Sequence, residues 1–329
     1  MADNQNIDAT KNSTDSIKKY LDFEKPIQEV ADKIIALQSV SSENPDINSQ
    51  IVKLEEELSA ITKKIYNKLS IWQIVQVARH PERPHTLDYI KRIFSDFDEL
   101  HGDRQFGDDQ SIVGGICYLD QTPVMVIGHE KGRDTEEKLR RNFGMPQPEG
   151  YRKAKRLMKL AEQFSLPIIN FIDTAGAYPG IEGEERGQNE AIASNLALLS
   201  EIKTPVLAIV TGEGGSGGAL AISVGDHLSM LEYSTYSVAS PEACASIIWR
   251  SSEKAPDAAE AMKVSSKELL KLNIIDEIIK EPLGGAHRDY DLISSEIKKS
   301  ILKSLKQLQS MPMKELLKRR YSRIISIGS

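Results

Sequence analysis

Two segments of the chain share one pattern, and this pattern constrains the fold more than any other feature. Residues 166–176 and 204–214 are apolar runs that open with a proline and close at a glycine, and the two prolines, Pro167 and Pro205, stand 38 residues apart. An apolar run without alternation is typical of a parallel strand that is buried on both faces. A proline is tolerated at the first residue of a strand. The repeat therefore predicts one structural unit used twice, with parallel strands covered by helices.

The second segment runs into the most glycine-rich stretch of the chain. Residues 212–219 hold five glycines in eight positions, and the apolar residues that follow predict a helix buried against the strand. Because glycine has no Cβ, the N–H groups of such a turn can approach a bound oxygen, and a helix N-terminus favours negative charge. Ligands of parallel sheets bind at the carboxyl ends of the strands, where the first glycine turn, 173–180, is also expected. The stretch predicts a site for a group that is, or becomes, anionic.

Several interpretations of this turn compete. Gly212, Gly214 and Gly217 have the spacing of a dinucleotide fingerprint. That fingerprint belongs on a first strand with an acidic residue closing the second, and Glu232 has the spacing in the wrong setting. A purely structural interpretation is that glycines let a helix pack closely on a strand, which we expect to account for two of the five.

A third interpretation is the nucleophile elbow of an α/β-hydrolase, with Ser216 between two glycines. Acid and base candidates follow it in the required order, namely Asp226, Asp257 and His287. No HGGG-type oxyanion motif lies upstream. A fourth interpretation needs no reactive side chain, because the amides after Gly217 can form an oxyanion hole for an enolate-type oxygen.

The flanking regions are predicted to be helical. Apolar residues recur at helical spacing from Pro26 to about Val77 with a break near 44–45, which predicts a helical hairpin, and residues 112–118 and 123–128 predict a pair of strands. A basic helix at 313–321 is expected to be solvated or to contact another subunit. We expect four regions: a flexible polar tail at 1–20, an N-terminal helical segment at 21–84, a central domain at 85–288 and C-terminal helices at 289–329.

Composition excludes several classes of protein. The formal net charge of −6 gives no reason to expect nucleic acid as a partner. No window approaches ~18 consecutive apolar residues and the N-terminus has no signal-peptide pattern, so we expect a cytoplasmic protein without a membrane segment. Cys117 and Cys244 stand far apart, and the six histidines form no HxxxH pair, so we expect neither disulfides nor a metal on this chain.

Eight motifs in order resemble the α subunit of the carboxyltransferase component of bacterial-type acetyl-CoA carboxylase. The likeness runs from about Leu87 to Arg288 and is looser in the N-terminal helices. The motifs are Glu99-Leu-His-Gly-Asp-Arg104, Gly128-His-Glu-Lys-Gly-Arg-Asp-Thr135, Arg140-Arg-Asn-Phe-Gly-Met-Pro146, Pro148-Glu-Gly-Tyr-Arg-Lys153, Asp173-Thr-Ala-Gly-Ala-Tyr-Pro-Gly180, Glu184-Glu-Arg-Gly-Gln188, Gly212-Glu-Gly-Gly-Ser-Gly-Gly-Ala219 and Pro282-Leu-Gly-Gly-Ala-His-Arg288.

The resemblance implies an α/β fold of the crotonase (ClpP/crotonase) type, a superhelix of ββα units with an N-terminal helical hairpin and C-terminal helices. It implies transfer of a carboxyl group from carboxybiotin to acetyl-CoA, which gives malonyl-CoA for fatty acid synthesis. Carboxybiotin would arrive on a separate biotin carboxyl carrier protein. The resemblance also implies a zinc-ribbon β subunit as partner in an α2β2 assembly. A serine hydrolase that uses Ser216 and a non-catalytic scaffold subunit remain as alternatives.

The resemblance also assigns roles to individual residues. The main-chain N–H groups of Gly218 and Ala219 would stabilise the negative ureido oxygen that biotin carries once carbon dioxide has left, and biotin itself would then act as the base. The residues implied in binding biotin are Gly176, Ala177, Tyr178 and Gly217; for Tyr178, a ring that only covers the core is the alternative. Residues 130–159 hold ten basic and five acidic residues. Within them we expect Arg133, Arg140 and Arg141 to attract the phosphates of coenzyme A and residues 152–159 to form a solvated helix face with ion pairs.

Overall fold

The computed structural model describes residues 20–40 and 45–328, so nearly all of the tail predicted at 1–20 lies outside the described residues. The α-helices are α1 (Lys25–Val40), α2 (Pro45–Tyr66), α3 (Ile71–Ala78), α4 (Thr86–Ile93), α5 (Thr135–Arg140), α6 (Pro148–Gln163), α7 (Ile181–Glu185), α8 (Gln188–Glu201), α9 (Ser216–Ser223), α10 (Pro241–Trp249), α11 (Ala255–Met262), α12 (Ser266–Lys271), α13 (Tyr290–Gln309) and α14 (Met313–Ile325). The strands are β1 (Ser95–Glu99), β2 (Ile112–Leu119), β3 (Thr122–His129), β4 (Ile168–Thr174), β5 (Val206–Gly215), β6 (His227–Leu231), β7 (Thr235–Ser237) and β8 (Glu277–Ile279).

The strands of the described chain form one mixed sheet in the order β1-β2-β3-β4-β5-β6-β8, with β7 paired to β5. Strands β1 to β3 pair antiparallel, which confirms the predicted strand pair at 112–118 and 123–128. From β3 onward all neighbours in this order are parallel. The parallel part brings the carboxyl ends of β3, β4 and β5 to the same edge of the sheet.

The predicted repeat is confirmed by the register of its two strands. Strand β4 pairs with β5 so that Ile168 lies beside Val206 and Ile172 beside Val210. This is the same offset of 38 residues that separates the two prolines. Both prolines still serve the ladder as acceptors, since Pro167 O accepts from Met125 N and Pro205 O accepts from Ile168 N, each at 2.9 Å.

Alternate residues of the central strands fill two cores. In β4, Ile169 and Phe171 face one core, which includes α4 and α13, whereas Ile168 and Ile172 face the other, which includes α6, α8 and α9. All four side chains are fully buried. Continuous apolar strands are therefore explained by helices on both faces of the sheet.

The predicted helical hairpin is formed by α1 and α2, and it is tied to the distant end of the chain. Tyr66 OH donates to Glu24 at 2.8 Å, and Arg288 donates to the same carboxylate at 2.8 Å. Arg83 forms a buried ion pair with Glu281. The contacts of Arg288 and Arg83 both cross the expected boundary at 84, and the boundaries at 84 and 288 remain proposals about the chain's organisation.

The C-terminal basic helix was expected to be solvated or to contact another subunit, but one of its faces is buried against this chain. Arg320 of α14 is fully buried and pairs with Asp226 at 2.6 Å. Its guanidinium also donates to the carbonyl oxygens of Leu199, Ile202 and Thr204 at 2.7–3.0 Å. A guanidinium has five donors in a fixed fork, so it can satisfy several carbonyls at once. Arg320 thus fixes α14 to the end of α8 and the starts of β5 and β6, and we call this set of contacts the Arg320 clamp.

Candidate active site

Two glycine turns pack against each other where β4 and β5 end. A Cβ placed on Gly215 would lie 2.1 Å from Ala175 O, and one on Gly218 would lie 2.5 Å from Ala177 N. Gly212 and Gly214 are closed in the same way, by the side chains of Asp173 and Tyr236. Close packing therefore accounts for four of the five glycines, more than the two expected from the sequence.

The fifth glycine, Gly217, is not required by close packing, because a side chain would fit at its position. Its virtual Cβ meets only the side chain of Ile192, at 3.6 Å. Gly217 is half-buried and the preceding Ser216 is exposed, so this point of the turn faces outward. The two turns hold each other rigidly while the start of α9 stays accessible.

The start of α9 supplies free main-chain donors. The helix begins at Ser216 with Gly215 as its N-cap, but Ser216 has a left-handed φ of 56°, so the first turn is not regular. The first four amides of a helix have no intrahelical acceptor. The amides of Gly217 and Gly218 belong to this set whichever residue is taken as the cap, whereas that of Ala219 belongs to it only if Ser216 is the cap.

A cavity of about 360 Å³ lies beside these amides. Ser216 and Gly217 form one end of it, and its wall is mainly apolar; the other lining residues are Leu220, Tyr236, Ser237, Val238, Met262, Leu269 and Ile274. A space with donors at one end and an apolar wall suits a ring that has one polar edge.

A buried network of charges fixes the other side of the turn. Lys131, just after β3, pairs with Asp173 at 2.7 Å and with Glu213 at 3.0 Å. Arg79 pairs with Glu213 at 2.7 Å and with Glu242 of α10 at 2.6 Å. The network therefore joins the carboxyl ends of β3, β4 and β5 to α3 and α10.

The pKa values show that this network is fixed in its charged form. Burial acts to raise the pKa of Glu213, but Lys131 and Arg79 outweigh it and lower the pKa to about 2. For Lys131, burial acts to lower the pKa, while Asp173 and Glu213 raise it well above its ordinary value. Neither group exchanges a proton near neutral pH, so the network stabilises the turn and does not act as an acid or base.

His129, the last residue of β3, is a buried polar residue that the sequence analysis did not single out. It is fully buried, and its ring interacts with the backbone of Gly218 and of Phe171. Burial, with the charge of Lys131, lowers its pKa to about 3. It is a neutral packing element behind the glycine turn, and its place at the end of an apolar strand was the only signal in the sequence.

The residues of the first glycine turn lie partly at the site. The backbone of Gly176 and Ala177 packs against Gly218. Tyr178 is half-buried, its N–H donates to Pro146 O at 2.9 Å, and its ring covers Gly180. Tyr178 does not line the cavity beside Gly217.

The three arginines proposed for coenzyme A have other contacts. Arg133 pairs with Asp88 and donates to Arg83 O at 2.9 Å. Arg141 donates to Gln110 O at 2.7 Å. Arg140 is half-exposed and makes only a loose ion pair with Glu137, at 3.6 Å. Arg140 therefore has the most freedom of the three to meet a ligand.

The residues of the hydrolase interpretation do not converge. Asp226 is buried in its pair with Arg320, and Asp257 lies exposed beside Lys254. The His287 ring stacks on His80 at 3.8 Å between centroids. The dinucleotide interpretation fails as well, because β5 is the fifth strand along the described chain and not a first strand, and Glu232 pairs with Lys280 at 2.8 Å.

Two absences hold for the described part of the chain. Across 20–40 and 45–328, His, Cys, Asp and Glu side chains form no group of three that could hold a metal ion. No described helix combines the length and apolar character needed to cross a bilayer.

Comparison with known sequences gives a consistent group of relatives. The sequence profile described as "Acetyl co-enzyme A carboxylase carboxyltransferase-like" matches residues 20–328. The chain is 58% identical over 311 residues to the acetyl-coenzyme A carboxylase carboxyl transferase subunit alpha of Pseudomonas paraeruginosa, covering 94% of this chain and 98% of that protein. The protein of the same name from Alcanivorax borkumensis is also 58% identical, covering 94% and 96%.

Solved structures with a similar fold are more distant in sequence. The transcarboxylase 12S structure with methylmalonyl-coenzyme A has a TM-score of 0.57 at 16% identity, covering 70% of this chain and 42% of that chain. A Pseudomonas malonate decarboxylase hetero-tetramer in complex with coenzyme A has a TM-score of 0.58 at 16% identity, covering 73% and 94%. At such identities the likeness shows the fold alone, and it confirms the crotonase-type fold class expected from the sequence.

Proposed function

The chain belongs to the acetyl-coenzyme A carboxylase carboxyltransferase α-subunit family, and on that premise we propose that the main-chain amides at the start of α9 stabilise the oxygen that becomes negative during carboxyl transfer. The protein is a carboxyltransferase subunit that acts on an acyl-CoA. The reaction proposed for it moves the carboxyl group of carboxybiotin to acetyl-CoA and gives malonyl-CoA. Biotin, its carrier protein and the cytoplasmic location are parts of the proposal.

One observation carries this proposal: the cavity of about 360 Å³ reaches the start of α9 at Ser216 and Gly217, where the first amides of the helix have no intrahelical acceptor. The bicyclic ring of biotin has a polar urea edge and an otherwise apolar body. The amides match the urea oxygen, and Leu220, Tyr236 and Val238 match the apolar body. The residues present therefore fit the group.

The chain's part in the reaction is electrostatic. Carboxybiotin supplies the carboxyl group and, after that group has left, a basic nitrogen that can take a proton from acetyl-CoA. The amides of the turn are donors fixed in place before the reaction, so they stabilise the developing negative charge without reorganisation. Lys131 and Glu213 stay charged and His129 stays neutral near pH 7, so none of these groups acts as a proton donor or acceptor in the proposed reaction.

The partner proposed for the chain is a β subunit of the zinc-ribbon type, in an α2β2 assembly. Apolar side chains face solvent at and after the cavity: Val238, which lines it, is 82% exposed, and Ile247 and Ile248 of the following helix α10 are 78% and 60% exposed. Exposed apolar patches of this kind mark interaction surfaces. We assign this surface, Val238 with Ile247 and Ile248, to contact with the β subunit.

The reverse reaction tests the proposal directly. Carboxyl transfer from malonyl-CoA to a free biotin derivative is measured with this chain alone, with the β subunit alone and with both. We expect turnover only in the mixture, because the acyl-CoA and biotin are held by different subunits. Full activity of either chain alone, or none in the assembled mixture, would contradict the proposal.

A further inference from the structure

A basic groove lies between α6, α8 and the loop 101–107. It has a volume of about 350 Å³, and five of its lining side chains are cationic while two are acidic. The cationic residues are Arg104, Arg152, Lys155, Arg156 and Lys159, and the acidic ones are Asp103 and Glu190. This local excess of positive charge occurs in a chain whose formal net charge is −6.

The loop's own carboxylate does not neutralise the groove. Asp103 accepts from Arg152 Nε at 2.7 Å and from the N–H groups of Gln105, Phe106 and Gly107 at 2.8–3.0 Å. Burial acts to raise the pKa of Asp103, but these hydrogen bonds lower it overall. One acidic side chain is therefore fully committed to Arg152 and to the shape of the loop.

Two guanidinium groups meet at a single acceptor in this groove. Arg104 Nη1 donates to His101 O at 2.8 Å, and Arg156 Nη2 donates to the same oxygen at 3.1 Å. Neither arginine has an ion-pair partner among the described residues. Burial, followed by the positive charge of Arg104, lowers the pKa of Arg156 despite the opposing charges of Asp108 and Asp103. Like charges at this separation repel each other, and an anion between them would remove the repulsion.

Two lysines extend the same positive surface. Lys155 and Lys159 are four residues apart on α6, so they lie on one face of the helix, one turn from each other. Neither forms an ion pair with a described residue. Arg104, Arg156 and these two lysines thus present to one space four cations that form no ion pair with a described residue.

We propose that this groove binds a ligand with two or more linked phosphate groups. Guanidinium and ammonium groups are the side chains that recognise phosphate oxygens most strongly. A cavity of about 350 Å³ accommodates a diphosphate or triphosphate group together with part of a nucleoside. Both free polyphosphates and the adenosine end of coenzyme A carry this chemistry.

The groove is distinct from the glycine turn. Ile192 of α8 contacts the Gly217 position, whereas Glu190 and Ser194 of the same helix line the groove. Residues two apart on a helix point in nearly opposite directions, at about 200°. The helix α8 therefore separates the groove from the turn, and the ligand would bind away from the free amides.

Binding of sodium tripolyphosphate and of coenzyme A to the full chain tests the proposal by calorimetry. The groove variant is Lys155→Gln/Lys159→Gln, which removes two charges without removing a structural contact. The matched control, Lys314→Gln/Lys318→Gln, removes two lysines that line a separate surface pocket beside α14. We expect the groove variant to bind tripolyphosphate about tenfold more weakly and the control variant to bind it as the unchanged chain does. The affinity of each variant for tripolyphosphate should fall as salt is added.

The two ligands distinguish the source of the phosphates. If the groove variant binds both coenzyme A and tripolyphosphate more weakly, coenzyme A is an occupant of the groove. If only the affinity for tripolyphosphate falls, a free polyphosphate ligand is indicated. Equal weakening in the groove and control variants, or no binding to the unchanged chain, would overturn the proposal. Because no turnover is measured, that result would leave the proposed function untouched.

Discussion

At the scale of single residues, the proposed site depends on donors that belong to the backbone and not to side chains. A side chain at Gly218 would not test its amide cleanly, since a Cβ there would lie 2.5 Å from Ala177 N and Gly176 C. Such a variant would displace the backbone, so its loss of activity would say nothing about the amide.

A backbone ester is a cleaner test of the same amide. Glycolic acid in place of Gly218 removes the N–H group and adds no atom outside the main chain. We expect carboxyl transfer in the presence of the β subunit to fall about 10²-fold to 10³-fold, the usual loss for one oxyanion-hole donor. The control is the same ester at Gly187, a turn glycine away from the cavity; equal losses at both positions would remove Gly218 from the proposed role.

The charged network makes a prediction about acid stability. Glu213 has a folded-state pKa of about 2, below its ordinary value, so it adds stability that is complete above about pH 4.5 and is lost as the pH falls towards 2. We expect Glu213→Gln to lower the free energy of unfolding by about 3 kcal/mol near neutral pH.

The difference between the two proteins should shrink between about pH 4.5 and 2. Denaturant unfolding across this range measures it. A gap that stays constant with pH would show that the carboxylate contributes only through packing.

At the scale of elements, the site exists because two strand ends and their turns are fitted together. Strands β4 and β5 run in register until Ile172 and Val210, and the register then shifts before Thr174 pairs with Gly214. The shift accompanies a longer β5, whose last residues pair with β7 before α9 begins. The free amides are thus held by packing between elements as well as by the turn.

A matched pair of alanine variants tests this fit. Gly215→Ala would place a Cβ 2.1 Å from Ala175 O, whereas Gly217→Ala would place one 3.6 Å from the side chain of Ile192. We expect Gly215→Ala to lose more than about 2 kcal/mol of stability and Gly217→Ala to stay within about 1 kcal/mol of the unchanged protein. Thermal and denaturant unfolding compare them, and similar stabilities would mean that the turns do not constrain each other.

At the scale of the whole molecule, distant parts of the chain are joined through buried ions. The N-terminal hairpin meets residue 288 through Glu24, and the last helix reaches the start of β6 through Arg320 and Asp226. A buried charge that loses its partner is costly, so these links make the helical ends part of the folding unit.

The Arg320 clamp can be tested by a single substitution. Arg320→Met would leave Asp226 buried without its partner, and we expect a loss of about 3–5 kcal/mol in the free energy of unfolding. Lys318→Met, an exposed change on the same helix, is the control and should alter stability by less than about 0.5 kcal/mol. Equal losses of stability in the two variants would show that Arg320 contributes no more than an exposed residue of α14.

The apolar surface beside the cavity predicts how the chain assembles. Ile247→Glu places a charge on a side chain that is 78% exposed, so the isolated chain should keep its stability. Burial of that charge against the β subunit would be unfavourable, so we expect co-purification and carboxyl transfer to be lost together. Sedimentation of the mixed subunits measures complex formation. An intact complex would show that the β subunit contacts a different surface.

Local patterns in the sequence determined much of this protein. The repeated strands, the strand pair, the hairpin and the glycine turn after β5 are all set by nearest neighbours, because apolar periodicity and missing Cβ atoms act within a few residues. The close family resemblance then followed from the order of the motifs. The tertiary structure alone decided which charges meet: the Lys131 network, buried His129, the Arg320 clamp and the paired Arg104 and Arg156 all join residues far apart in the chain. Ion pairing and desolvation depend on distances of a few ångströms in space, which sequence spacing does not specify.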